Sequence, residues 1–145
     1  MSDMPEILVD EFQGTPEEFF EYVQEFFKTN EQYRGYDKLI DLIETYELDE
    51  YDLYGVTSDG VIAGVAAVRL VNDTLYFDVF TVADGFRGIG VGDKLFSEIV
   101  SLNKYANAKN YESMALPGDR STKNFFEQRK GKARLLIVGG PINRE

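Results

Sequence analysis

Between residues 86 and 92 the chain reads F-R-G-I-G-V-G, an arginine followed by glycines at 88, 90 and 92. Glycine costs a helix about 1 kcal/mol relative to alanine, yet these three stand directly ahead of an amphipathic run. In such a loop, backbone N–H groups left over at the helix start can approach an anion closely. The positive end of the helix dipole reinforces them, and Arg87 adds a full charge at the rim. The chemistry this suits is phosphate or diphosphate binding; a glycine-rich turn without a ligand is the plainer alternative. A few residues earlier, Asp78 is the one acid in the otherwise apolar run LYFDVFTV. A carboxylate there could take a proton from a reacting group, and strand alternation puts it on a face with Tyr76, Phe80 and Val82. A solvated strand carboxylate would give the same pattern. Glu112 is a second carboxylate candidate, and a water chain could replace both.

Other chemistries are closed to this chain. It has no cysteine and no histidine, which removes thiol nucleophiles, disulfides, histidine bases and the common zinc sites. A Walker loop needs Gly-Lys-Ser/Thr, whereas Gly92 is followed by Asp93-Lys94-Leu95. A dinucleotide fingerprint would be GxGxxG after the first strand; here the spacing is GxGxG after the fourth. Net charge is −11, which argues against nucleic acid as a partner. That charge is uneven, with 17 acids against three bases in residues 1–60 and nine bases against four acids in residues 104–145. The front half therefore suits a cationic partner and the back half an anionic one, although solvated helix faces would look alike.

The elements that must position these residues can be read from periodicity. The 145 residues suit a single domain over 1–145. Residues 6–12 read as a strand. Thr15, Pro16 and Glu18 are the N-cap, first position and capping-box acid of a helix whose inner face is Phe19, Phe20, Val23, Phe26 and Phe27. A second helix follows with Leu39, Leu42, Ile43 and Tyr46 inward. Turns at Ser58-Asp59-Gly60 and Asn72-Asp73-Thr74 separate three strands, the last over 75–82. After the glycines a helix is expected from Val91 to Tyr105, with Val91, Leu95, Phe96, Ile99 and Val100 inward. A short strand over 111–116, a helix starting near Ser121 and a last strand over 133–140 complete a mixed α/β order. No apolar run is long enough to span a bilayer and no signal-peptide pattern is visible, so a cytoplasmic protein without membrane attachment is expected.

With loop and order together, the chain resembles the GNAT superfamily of acetyl-CoA-dependent N-acetyltransferases. That family's pyrophosphate loop reads Gln/Arg-x-x-Gly-x-Gly/Ala, met by Arg87, Gly90 and Gly92. Val82, Phe86, Arg87 and Gly88 match the segment before it, with Asp84 where proline is common. The resemblance implies a mixed, mostly antiparallel central sheet with helices on both faces, its fourth and fifth strands splayed to admit the pantetheine arm of acetyl-CoA. Phe80, Thr81 and Val82 would bind that arm through the backbone. Arg87, Gly88, Ile89, Gly90, Val91 and Gly92 would hold the pyrophosphate. The family's last helix commonly carries Asn-x-x-Ala-x-x-Phe-Tyr, and Asp119, Thr122, Phe125 and Phe126 stand in those places, with Thr122 and Phe126 as further cofactor contacts.

The implied reaction is direct transfer of an acetyl group to a primary amine of a small molecule or protein, the acceptor being cationic and facing the acidic helices. Asp78 is the candidate base and Tyr76 its catalytic companion. Phe126 replaces the tyrosine that usually protonates the leaving thiolate, and Gly131 follows it by five residues where four is usual. Tyr76, Tyr111 or water could substitute for the missing acid, and restoring tyrosine at 126 is then expected to raise turnover. The alternative is a CoA-binding sensor or interaction protein of the same fold without catalysis. A single final strand would leave an exposed sheet edge, which makes a homodimer an open expectation.

Overall fold

The computed structural model describes residues 5–28, 31–32, 35–86, 88–114 and 125–130. Strand β1 (Ile7–Glu11) leads to helix α1 (Pro16–Phe27), helix α2 (Tyr36–Glu44), strands β2 (Asp52–Ser58), β3 (Val61–Val71) and β4 (Thr74–Val82), helix α3 (Val91–Val100) and strand β5 (Asn110–Ser113). The five strands form one sheet in the order β1-β2-β3-β4-β5. All neighbours run antiparallel except β4 and β5, which are parallel.

The turns follow from local chemistry. Between β2 and β3, Asp59 (φ 49°) and Gly60 (φ 84°) both take left-handed conformations, the two-residue hairpin turn whose twist matches its strands. Asn72, with φ 55°, opens the next turn, as a short amide side chain tolerates. Helix α1 begins as its sequence dictates. Thr15 accepts from the Glu18 N–H at 3.1 Å, and the Glu18 carboxylate reaches back to the Thr15 N–H.

The sheet divides the apolar interior in two. On one face Val91, Leu95 and Ile99 of α3 pack against Tyr54, Val56, Ala66, Val68, Leu75 and Phe77. On the other, Phe19, Val23 and Phe26 of α1, Ile43 of α2 and Leu48 pack against Val65, Ala67 and Val79. Strand β3 serves both faces, and all residues from Ala63 to Val68 are buried. Its near-continuous apolar sequence is what two-sided burial requires. Each fully buried valine, leucine or phenylalanine contributes about 1.5–3 kcal/mol.

Three expectations need correction. Helix α3 ends at Val100, because Leu102 is extended (ψ 138°); Asn103–Tyr105 form a separate 3₁₀ turn that buries Tyr105. Val100 and Leu42, expected inward, are exposed at 38% and 39%. Tyr46 lies beyond the end of α2, though its ring still packs against the α1–α2 core. The expected helix start near Ser121 and last strand over 133–140 lie outside the described residues.

Candidate active site

Strand β4 departs from simple alternation at the residue where chemistry is expected. Its register with β3 pairs Val79 with Ala67 but Phe77 with Val68, so Asp78 is the extra residue of a bulge and has no cross-strand partner. Leu75 and Phe77 face the α3 core before the bulge, while after it Phe80 and Val82 face that core and Val79 faces the α1–α2 core. The expected shared face of Asp78 with Phe80 and Val82 is therefore wrong. An inserted residue shifts the pleat by one, which is the general effect of a bulge.

Asp78 joins Tyr76 instead, through a cation. Arg69 Nε donates to Asp78 Oδ2 at 2.5 Å, and the Arg69 guanidinium lies 4.3 Å from the Tyr76 ring centre. The Tyr51 hydroxyl donates to the same Oδ2 at 2.8 Å. Donation to Asp78 raises the Arg69 pKa further. Burial first, and that hydrogen bond second, push the Tyr51 phenol up to about 12. Tyr46, whose ring centre is 5.6 Å from that of Tyr51, is also pushed up, by burial and then by the Asp78 charge. Asp78 is thus held by a charge and a hydroxyl beside three tyrosines.

Pairing of β5 with β4 covers Thr74–Phe77 and, among the described residues, stops there. Beyond that point β4 runs on through Asp78 to Val82 toward the glycine loop. Thr81 is buried, and Phe80 and Val82 are half-buried. Gly88 and Gly90 have φ of 85° and 86°, a region that other L-residues avoid. A methyl group at either would meet no described atom within 4 Å, so the backbone lies open on that side. Gly90 caps α3 and offers no side-chain acceptor to its first turn. Val91 is buried as the helix's first core residue, and Ile89 is 46% exposed. A β-carbon on Gly92 would come within 3.3 Å of the Phe125 ring, so this glycine permits close packing. Arg87 and Thr122 lie outside the described residues.

A match to the model of the acetyltransferase (GNAT) family covers residues 9–131. The chain belongs to the GNAT family of acetyltransferases. No curated protein matches it in sequence. Among solved structures, it is similar to a protein from Pyrococcus furiosus designated an acetyl transferase, with a TM-score of 0.72, 20% identity and coverage of 94% of this chain and 100% of that one. An aminoglycoside acetyltransferase from an uncultured soil metagenomic sample gives a TM-score of 0.65 at 15% identity, covering 95% and 99%. An aminoglycoside N-acetyltransferase in complex with CoA gives 0.62 at 12% identity, covering 99% of each chain. At these identities the likeness is one of fold.

The aromatic residues around Phe126 are committed to packing. Phe126 is 9% exposed, with ring centres of Phe80, Phe96 and Tyr111 at 5.6, 6.2 and 5.8 Å. The Tyr111 hydroxyl donates to the carbonyls of Phe126 (2.9 Å) and Arg129 (3.0 Å), which leaves it poorly placed to serve as the acid. Phe125 packs against Phe80, and the Arg129 guanidinium lies 3.5 Å from its ring centre. Arg129 also pairs with Asp93 in the first turn of α3. Glu112 is half-buried on β5 opposite Tyr76. A cavity of about 210 Å³ between Phe96 and Val100 of α3 and residues 108–111 includes neither the glycine loop nor Asp78.

Sequence reasoning missed Tyr51, Arg69 and Arg129. Arg69 carried a usable signal as the one cation in the run VIAGVAAVRLV. Counting outward from the Asn72 turn pairs it with Tyr76 and makes Asp78 its diagonal neighbour. Tyr51 carried none, because its partner lies 27 residues away.

Proposed function

We propose that this GNAT protein transfers the acetyl group of acetyl-CoA to a primary amine by direct attack. The observation that carries the reading is the backbone of residues 88–92: two left-handed glycines open to one side, leading from the end of β4 into an α3 first turn with no side-chain cap. That arrangement fits a pyrophosphate. The β4 residues 80–82, beyond the pairing with β5, suit the pantetheine arm. Arg87 and Thr122 are included in the site from sequence alone.

On the other side of the opening, Asp78 attracts the acceptor's ammonium and takes one proton to leave a neutral amine, whose lone pair then attacks the thioester carbonyl. The C–S bond breaks, CoA leaves as the thiolate, and the second nitrogen proton passes to that thiolate through water. Tyr76, held beneath Arg69, lines the same side. Holding the two substrates together supplies much of the acceleration. The acidic α1 and α2 favour a cationic acceptor, and the resemblance to aminoglycoside acetyltransferases is in keeping with an amine-bearing one. We place the protein in the cytoplasm, supported by the absence of cysteine and by the lack of any described helix long and apolar enough to cross a membrane.

The enclosed Phe126 ring and the committed Tyr111 hydroxyl favour a second reading, a CoA-binding protein with little turnover. One experiment separates the two. Thermal unfolding is recorded with and without acetyl-CoA, and free thiol release is followed with sisomicin, spermidine and a lysine peptide as acceptors. Stabilisation with thiol release from at least one amine supports the transferase. Stabilisation without release selects the sensor, and no stabilisation at millimolar acetyl-CoA overturns both.

A further inference from the structure

We infer that Tyr51 is a positioning residue that fixes the Asp78 carboxylate for the acceptor amine and ties the α1–α2 wall to the reacting end of the sheet. This rests on the transferase reading above. A bulge residue lacks the cross-strand neighbour that normally confines a strand side chain, so the orientation of Asp78 must come from its hydrogen bonds. There are two, from Arg69 on β3 and from Tyr51, and they approach from different elements. Both end on Oδ2, and in this proposal Oδ1 is the oxygen that accepts from the amine N–H.

Of the two donors Tyr51 is the better fixed. Arg69 is a long side chain with four torsions, 43% exposed against 14% for Asp78, its guanidinium lying over the Tyr76 ring. Tyr51 has two side-chain torsions, and its ring rests on Tyr46. Its own N–H bonds the Leu48 carbonyl at 3.2 Å, in the turn that buries Leu48. The next residue, Asp52, is held in turn by the Tyr105 hydroxyl at 2.5 Å and by Lys104 at 3.0 Å. The backbone that presents Tyr51 is therefore fixed on both sides, and burial together with Asp78 keeps its phenol protonated as a donor.

The test uses Tyr51→Phe, which keeps the ring and removes only the hydroxyl. With the amine that the wild type acetylates fastest, kcat should fall about tenfold, equivalent to about 1.4 kcal/mol. The acetyl-CoA KM and the thermal shift produced by acetyl-CoA should stay unchanged. A double-mutant cycle with Asp78→Asn, read by urea unfolding, should show coupling between the two side chains. A residue that merely supports the fold would lower the unfolding midpoint without changing kcat at a temperature where the variant is folded. Unchanged kcat in the variant, or no coupling in the cycle, overturns the inference while leaving the transferase reading intact. A wild type that acetylates no amine overturns both.

Discussion

Replacing Gly90 separates the cost of backbone strain from the loss of a ligand. Gly90 sits at φ 86° and ψ 7°, and a β-carbon there would meet no described atom within 4 Å. Alanine at 90 therefore creates no packing clash in the free protein and costs only the left-handed penalty, about 1–2 kcal/mol. At about 2.1 cal/mol/K per residue, 145 residues give an unfolding entropy near 0.3 kcal/mol/K. The free variant should thus melt about 3–7 °C below wild type. Acetyl-CoA at about 100 times its Kd should stabilise the wild type by about 2.7 kcal/mol, or about 9 °C. Gly90→Asp carries no more backbone strain than alanine, since aspartate enters the left-handed region more readily, as Asp59 does here. It adds a carboxylate where the loop would meet a diphosphate, so its ligand shift should vanish. The assay is differential scanning fluorimetry of the three proteins with and without acetyl-CoA. A full 9 °C shift in Gly90→Asp would refute the placement of the pyrophosphate on this loop, and an unstrained alanine variant would refute the argument from φ.

Three further substitutions probe other parts of the site. The family pattern alone forecasts that Phe126→Tyr raises turnover; its packing forecasts the opposite. A hydroxyl enclosed by Phe80, Phe96 and Tyr111 should cost about 1–3 kcal/mol, seen as a lower unfolding midpoint, with no gain in thiol release. Gly64→Ala would bring a β-carbon within 2.9 Å of both the Thr81 carbonyl oxygen and Val56 Cγ1. Parting β3 from β4 there should cost about 1–3 kcal/mol and weaken acetyl-CoA binding; a melting point within about 1 °C of wild type would count against it. The Tyr51 phenol is pushed from 10.0 to about 12, so folding favours its protonated form. Stability from this source is intact below pH 10 and is lost as the pH rises to about 12. Urea midpoints of wild type should therefore fall more steeply over this interval than those of Tyr51→Phe, and parallel curves would reject the assignment.

Elements governed by local rules were legible in advance. The Thr15–Glu18 capping box and the Asp59-Gly60 turn each follow from a few neighbouring residues. The glycine loop was legible for the same reason, since open backbone at Gly88 and Gly90 needs nothing from distant parts of the chain. What could not be read depends on registration between strands. The bulge at Asp78 exists because β3 and β4 differ locally by one residue, and LYFDVFTV read alone shows only alternation. Likewise, nothing near Phe126 in the sequence announces that Phe80 and Phe96 enclose it. The C-terminal end of α3 was overrun because SLNKY continues a plausible apolar spacing. Only the extended backbone at Leu102 ends the helix.

Helix α2 is attached lightly compared with its neighbours. It has nine residues, a glycine N-cap without a side-chain bond, and a single buried side chain, Ile43. Helices shorter than about 12–15 residues have little stability of their own in water, and segments with so few buried contacts open at low free energy while the rest of a domain stays folded. The two acidic helices are thus unequally anchored, α1 by a complete capping box and three buried residues and α2 by one buried residue and no side-chain cap. In the transferase reading, an acetylated amine has lost the charge that Asp78 attracted, so the product is held less tightly than the acceptor that arrived, while amide hydrogens should exchange faster in α2 than in α1.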